Sequence, residues 1–112
     1  MPVFTLDTNI TISEPGVILA ELTQLCSTTL GKPESYVMVH INDQQHLMFA
    51  GSTDALAKCS LASLGMSDEN TGEYSAKICS YLESRLGIPP NRCYIEFKAP
   101  ERSMFGWNNS TF

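Results

Sequence analysis

Two residues early in the chain could carry chemistry together. Pro2 follows Met1, and an initiator methionine is removed when the next residue is small, so the mature chain is expected to begin with a secondary amine. Such an amine is normally protonated at neutral pH, but burial against apolar groups and a nearby cation both disfavour the charged form. A neutral amine with a pKa near working pH can take a proton from the carbon next to a ketone and return it elsewhere, which is tautomerisation. Enolisation puts negative charge on the carbonyl oxygen, and a cation aimed there lowers the barrier; Lys32 is the best candidate. Each residue also has a plain structural reading. A proline at position two can start an edge strand without costing a ladder hydrogen bond, and a lysine at a helix end is favoured by the helix dipole. Position alone does not choose between these readings.

Other chemistries find less support. His40 and His46 are not at a ligand spacing and have no nearby cysteine or carboxylate set to complete a site, so no metal and no cofactor are expected. Gly51 and Gly106 stand alone and form no phosphate-cradling loop. Cys26, Cys59, Cys79 and Cys93 are far apart and form no CxxC pair, which reads as four reduced, largely buried thiols rather than disulfides or a metal site. Twelve acidic against 7 basic residues give a net charge of −5 with no basic cluster, which argues against nucleic acid as a partner. No stretch approaches the roughly 20 apolar residues of a membrane span, and no basic segment followed by an apolar run opens the chain. A cytoplasmic protein without membrane insertion is expected. The glycosylation-like triplets Asn9-Ile10-Thr11, Asn108-Asn109-Ser110 and Asn109-Ser110-Thr111 then read as structural.

The elements that must position these residues come in two similar sets. Val3 to Asp7 reads as a strand, and Ser13-Glu14-Pro15-Gly16 supplies the start of a helix in which Ile18, Leu22, Leu25 and Thr29 share a face. Gly31 sits where a left-handed terminating residue belongs, and Tyr36 to Ile41 reads as a second strand. The second half repeats the pattern. A strand from Cys59 to Leu64 leads to a cap region at Ser67-Asp68-Glu69-Asn70, a helix with Tyr74, Ile78, Leu82 and Leu86 four apart, Gly87, and a strand from Cys93 to Phe97. Leu30-Gly31-Lys32-Pro33 reappears as Leu86-Gly87-Ile88-Pro89, offset by half the chain's length, so one domain over 1–112 with an internal repeat of about 1–55 and 56–112 is expected. Strands joined by a helix should lie parallel through a right-handed crossover. The expected fold is therefore α/β (α+β): two tandem β-α-β units forming a four-stranded mixed sheet with two helices on one face. At 112 residues much surface stays exposed, so the other face, lined by apolar and small residues, is expected to be covered by partner subunits, with 42–55 and 99–112 as edge hairpins.

Met1-Pro2, Thr8-Asn9, Glu21-Leu22-Thr23, Gly31-Lys32-Pro33, Cys59-Ser60-Leu61 and above all Gly106-Trp107-Asn108-Asn109-Ser110-Thr111-Phe112 make the chain resemble, end to end, the migration inhibitory factor family of the tautomerase superfamily. The resemblance implies a homotrimer with edge strands added by neighbours and active sites between subunits. It implies Pro2 as catalytic base in a tautomerase acting on phenylpyruvate-type and dopachrome-type substrates, that is, aromatic α-keto acids and their kin. Lys32 would bind the substrate carboxylate and Leu64 would offer its backbone amide. Tyr36, Tyr94, Phe105 and Trp107 would form aromatic walls, with Tyr94 donating a proton toward the developing enolate. Glu96 stands where vertebrate members line the pocket with asparagine; a carboxylate there would favour protonated Pro2 and repel an acidic substrate. The family's CxxC is absent because Leu56 stands three residues before Cys59, and a histidine beside the vertebrate pocket is Ala62 here. The family also implies an alternative: a cytokine-like protein, secreted by a leaderless route, that binds a cell-surface receptor of the invariant-chain type and keeps a weak or vestigial pocket.

Overall fold

Alternation along the first strand decides which side of the sheet is buried. In the computed structural model, which describes residues 1–112, strand β1 (Val3–Thr8) turns Phe4, Leu6 and Thr8 fully inward, while Val3, Thr5 and Asp7 face the other way, only partly covered. Successive side chains of a strand point to opposite faces. The inward set continues Pro2, which is itself fully buried.

Helix α1 (Pro15–Leu30) follows, with proline in its first turn, and buries Ile18, Leu22 and Cys26. The predicted cap region contributes no side-chain cap: Glu14 occupies the N-cap position without a hydrogen bond. The helix ends at Gly31, whose φ of 65° and ψ of 35° are the left-handed values that glycine adopts without strain. Pro33 is extended, Glu34–Tyr36 makes one 3-10 turn, and strand β2 (Met38–Asn42) begins two residues later than the alternation predicted, because the Val37 N–H is committed to the Glu34 carbonyl.

Strand β3 (Ala57–Ala62), helix α2 (Thr71–Leu86) and strand β4 (Cys93–Lys98) form the second set. The third strand lies two residues earlier than predicted, which puts Leu64 in the turn that follows it. Ser67 does cap, its Oγ accepting from the Glu69 N–H at 3.3 Å, but at a 3-10 turn (Asp68–Asn70) preceding α2. The exit repeats the first half: Gly87 is left-handed, Pro89 extended, and Pro90–Arg92 a 3-10 turn.

The sheet order is β2-β1-β3-β4, with β1 parallel to β2, β3 parallel to β4, and β1 antiparallel to β3. Both helices pack on one face, where Phe4, Leu6, Cys59 and Leu61 of the sheet meet Ile18, Leu22, Cys26, Ile78 and Leu82. Across the solvent side of the helices, Glu21 accepts from the Tyr81 hydroxyl and from Arg85 Nε, both at 2.8 Å.

The opposite face is uncovered in the single chain and differs from the expected apolar lining. It carries Thr5, Asp7, His40, Lys58, Ser60, Glu96 and Lys98 along with Val3, Met38 and Tyr94. Polar side chains survive there because no helix of the same chain packs on them.

Of the two expected hairpins, only the second forms: strands β5 (Gly106–Trp107) and β6 (Ser110–Thr111) flank a two-residue turn. Asn108 and Asn109 both have positive φ, 52° and 66°, the type I′ geometry that asparagine tolerates. Residues 42–55 remain a loop with a single bridge between Phe49 and Ser52. Arg92 holds that loop by donating to the carbonyls of Phe49, Ser52, Asp54 and Ala55 at 3.0–3.1 Å.

Leu82 is fully buried between α2 and the sheet. Leu82→Ala is expected to destabilise the fold by about 2–5 kcal/mol, read as a lowered urea midpoint at fixed protein concentration.

Candidate active site

The amino end, the α1 exit and the final hairpin converge on one mouth at the edge of the sheet. The Pro2 carbonyl accepts from the Met38 N–H at 2.9 Å, which ties the start of β1 to the start of β2. Pro2 is thereby held fully buried, directly behind the partly exposed Met1 that lines the mouth.

Lys32 is positioned by the backbone that ends α1. Its N–H donates to the Ser27 carbonyl at 3.1 Å, and its carbonyl accepts from the Ser27 hydroxyl. The main chain is therefore fixed on both sides of the residue, while the ammonium group makes no ion pair; the chain's two salt bridges lie on the helices. With Met1 in place, the terminal amine sits below its ordinary pKa, first because burial disfavours the ammonium form and second because Lys32 repels it.

Two adjoining recesses share this mouth. One is lined by Met1, Val3, Tyr36, Met38, Phe105 and Trp107; the other by Met1, Lys32, Leu64, Gly65, Arg102 and Phe112. The aromatic side is continuous. Tyr36 meets the edge of Trp107 at a centroid distance of 5.9 Å, Trp107 stacks on Phe112 at 5.6 Å and 10°, and Phe112 contacts Phe105 at 5.8 Å. The polar side holds Lys32 and the Leu64 N–H, which donates to no acceptor of the chain. An amine, a cation, a spare backbone donor and flat apolar walls are suited to a small aromatic anion.

Six of the eight residues singled out from the sequence thus lie together: Pro2, Lys32, Tyr36, Leu64, Phe105 and Trp107. Tyr94 and Glu96 do not join them in the single chain. Both stand exposed on β4, on the open sheet face, and the Tyr94 ring packs against Phe49 at 4.9 Å. The register sets Glu96 opposite Ser60 and Ser60 opposite Thr5, two strands away from β1 and three residues beyond Pro2.

Val3, Met38, Gly65, Phe112 and Arg102 line the recesses without having been singled out. Phe112 is brought opposite Phe105 by the type I′ turn, its N–H donating to the Phe105 carbonyl at 3.1 Å. Reading Asn108-Asn109 as a two-residue turn would have supplied that pairing. Arg102, whose Nε donates to the Phe112 carbonyl at 3.1 Å, had no local signal.

A family profile described as macrophage migration inhibitory factor (MIF) matches residues 1–112. The chain is 43% identical to the macrophage migration inhibitory factor homolog of Trichinella spiralis, covering 100% of both proteins, and 41% identical to macrophage migration inhibitory factor of Xenopus tropicalis, covering 100% of this chain and 99% of the relative. Among solved structures, that of the Trichinella spiralis factor superposes with a TM-score of 0.93 at 42% identity, over 98% of this chain and 99% of the other. The homologue from Prochlorococcus marinus gives 0.93 at 31% identity, over 98% of each chain.

Replacing the site cation tests the electrostatics directly. In Lys32→Met the repulsion that disfavours the ammonium form is gone, so the terminal amine is expected to titrate at higher pH than in the wild type, as followed by NMR of the labelled amino end. An unchanged titration would show that Lys32 does not act on it.

Proposed function

The chain belongs to the macrophage migration inhibitory factor family, and we propose that it is a keto–enol tautomerase whose base is the amine of Pro2 after removal of Met1. The observation that carries this reading is the amino end itself: it lies beside an unpaired lysine in a half-apolar mouth, and burial and Lys32 already hold its amine below the ordinary pKa one residue before Pro2. A terminus at Pro2 would place the amine within a ring that is fully buried while Met1 is present.

The reaction asks little else of the chain. An aromatic α-keto acid would lay its ring along Tyr36, Phe105 and Trp107, with its carboxylate on Lys32 and the Leu64 amide. Pro2 removes a proton from the carbon beside the ketone, the oxygen gathers negative charge, and a donor supplies a proton there; ketonisation of the enol runs the same path backwards. Phenylpyruvate-type and dopachrome-type compounds share that acidic carbon.

Tyr94 is the proposed donor and Glu96 a lining residue, contributed by a neighbouring subunit of a homotrimer. Their distance from the chain's own amino end, and their exposure on an uncovered sheet face, support an inter-subunit site. We place the trimer in the cytoplasm. No helix is long and apolar enough to cross a membrane.

A second reading follows from the relatives' names, which refer to inhibition of macrophage migration: a receptor-binding protein with a weak pocket. Binding of the purified protein to the invariant-chain ectodomain would support it; no binding at micromolar concentration would remove it.

Mature protein should accelerate ketonisation of enol phenylpyruvate, and Pro2→Gly should lower kcat/KM by about 100-fold or more. The rate should fall as pH drops through the lowered amine pKa, because protonated Pro2 cannot accept a proton. Glu96→Gln should move that acid limb to lower pH and reduce KM for an acidic substrate. A wild-type rate equal to that of buffer would overturn the proposal.

A further inference from the structure

Tyr94 is the most exposed aromatic of the proposed site, 69% open to solvent on the edge strand β4. A side chain so placed populates several rotamers unless a neighbour limits it. The neighbour here is Phe49, whose ring meets that of Tyr94 edge to face at a centroid distance of 4.9 Å and an interplanar angle of 75°. Aromatic pairs prefer such an arrangement to a face-to-face sandwich. The contact is directional, so a fixed Phe49 restricts the angle of the Tyr94 ring as well as its distance.

Phe49 is fixed unusually well for a loop residue. Its N–H donates to the Ser52 carbonyl and its carbonyl accepts from the Ser52 N–H, both at 3.0 Å, which closes a two-residue turn at Ala50-Gly51. Both turn residues have positive φ, 52° and 73°, as a type I′ turn requires. Alanine takes such values at a cost that glycine does not bear, so the turn needs support from outside itself. Arg92 supplies that support. Its Nη1 donates to the Phe49 carbonyl at 3.1 Å, its Nη2 to the carbonyls of Ser52 and Asp54 at 3.0 Å, and its Nε to the Ala55 carbonyl at 3.1 Å. The same guanidinium lies over the Phe49 ring, 5.5 Å from its centroid. One side chain therefore holds the loop tip by backbone and ring together. It comes from the turn that leads directly into β4, two residues before Tyr94.

Filling of the core does not account for this arrangement. Phe49 is only partly covered and lies outside the buried cluster, so the contacts its ring makes with Arg92 and Tyr94 organise the sheet edge rather than the interior. We propose that Phe49, locked by Arg92, is a positioning residue for Tyr94, holding the phenol in the orientation from which it donates a proton toward the developing enolate in the neighbouring subunit's site. The role of Tyr94 as donor rests on the tautomerase reading above; its orientation by Phe49 does not. The donor reaches a shared site already oriented by its own chain, so assembly of the trimer has less side-chain freedom to remove. Proton transfer needs donor and acceptor within hydrogen-bond distance, so a phenol that swings away slows the chemistry without loosening the substrate.

Phe49→Leu should lower kcat for ketonisation of enol phenylpyruvate roughly tenfold, with KM changed by less than about twofold. Phe49→Tyr, which keeps the ring, should retain most of the rate. In a Tyr94→Phe background Phe49→Leu should cause no further loss, because residues that act as a unit are not additive. Arg92→Lys, which keeps the charge but lacks the fork that reaches four carbonyls, should reproduce part of the fall in kcat. Independently of activity, three-bond NMR couplings to Tyr94 Cγ should report one χ1 rotamer in the wild type and an average over several in Phe49→Leu. A wild type inactive toward enol phenylpyruvate would remove the tautomerase reading, and the couplings would still decide whether Phe49 holds Tyr94. A single unchanged rotamer in Phe49→Leu, a kcat equal to that of the wild type, or an equal loss in the Tyr94→Phe background would each overturn the proposal.

Discussion

A strand cannot choose which of its residues face inward, and the central strand β1 makes that rule decisive for the whole molecule. Its inward series, Pro2, Phe4, Leu6 and Thr8, is buried without interruption. The residue that begins the series is therefore desolvated by the same packing that holds the fold. Phe4 and Leu6 secure the helices, and Thr8 satisfies its buried hydroxyl on the Leu56 carbonyl at 2.7 Å. The amino end gains a fixed position and a reduced affinity for protons from one and the same constraint, with no element dedicated to either.

The face that β1 leaves open has the opposite character. Charged and polar residues from all four strands stand there, and the β4 residues that belong to the proposed pocket are among them. The residues of the proposed pocket therefore fall into two spatial groups in one chain, one gathered by the α1 exit and the last hairpin, the other displayed along the edge strand β4.

Much of the architecture was legible because period and punctuation agreed. The spacing of Ile18, Leu22 and Leu25, the four-residue steps from Tyr74 to Leu86, and the paired Gly31 and Gly87 located both helices closely. Strand ends were less legible, since the 3-10 turn at Glu34–Tyr36 uses an N–H that alternation alone assigns to the sheet. The site was legible mainly through resemblance, because Pro2, Lys32 and Leu64 are separated along the chain and meet only through the crossover of α1. The approach of Cys59 to Cys93 was not legible at all. The two share no motif, and only the parallel pairing of β3 with β4 brings their sulfurs to 4.0 Å.

The matching exits of α1 and α2 carry one more consequence. Gly31 and Gly87 adopt nearly the same left-handed geometry, and each is followed by one residue and an extended proline before the chain re-enters the sheet. The intervening residue is Lys32 in one joint and Ile88, fully buried, in the other. A hinge of one shape thus serves as an open socket at one end of the sheet and as a stopper at the other. Since the backbone is indifferent to which side chain it presents there, the molecule's polarity, with one open end and one sealed end, comes down to a single position in a twofold frame.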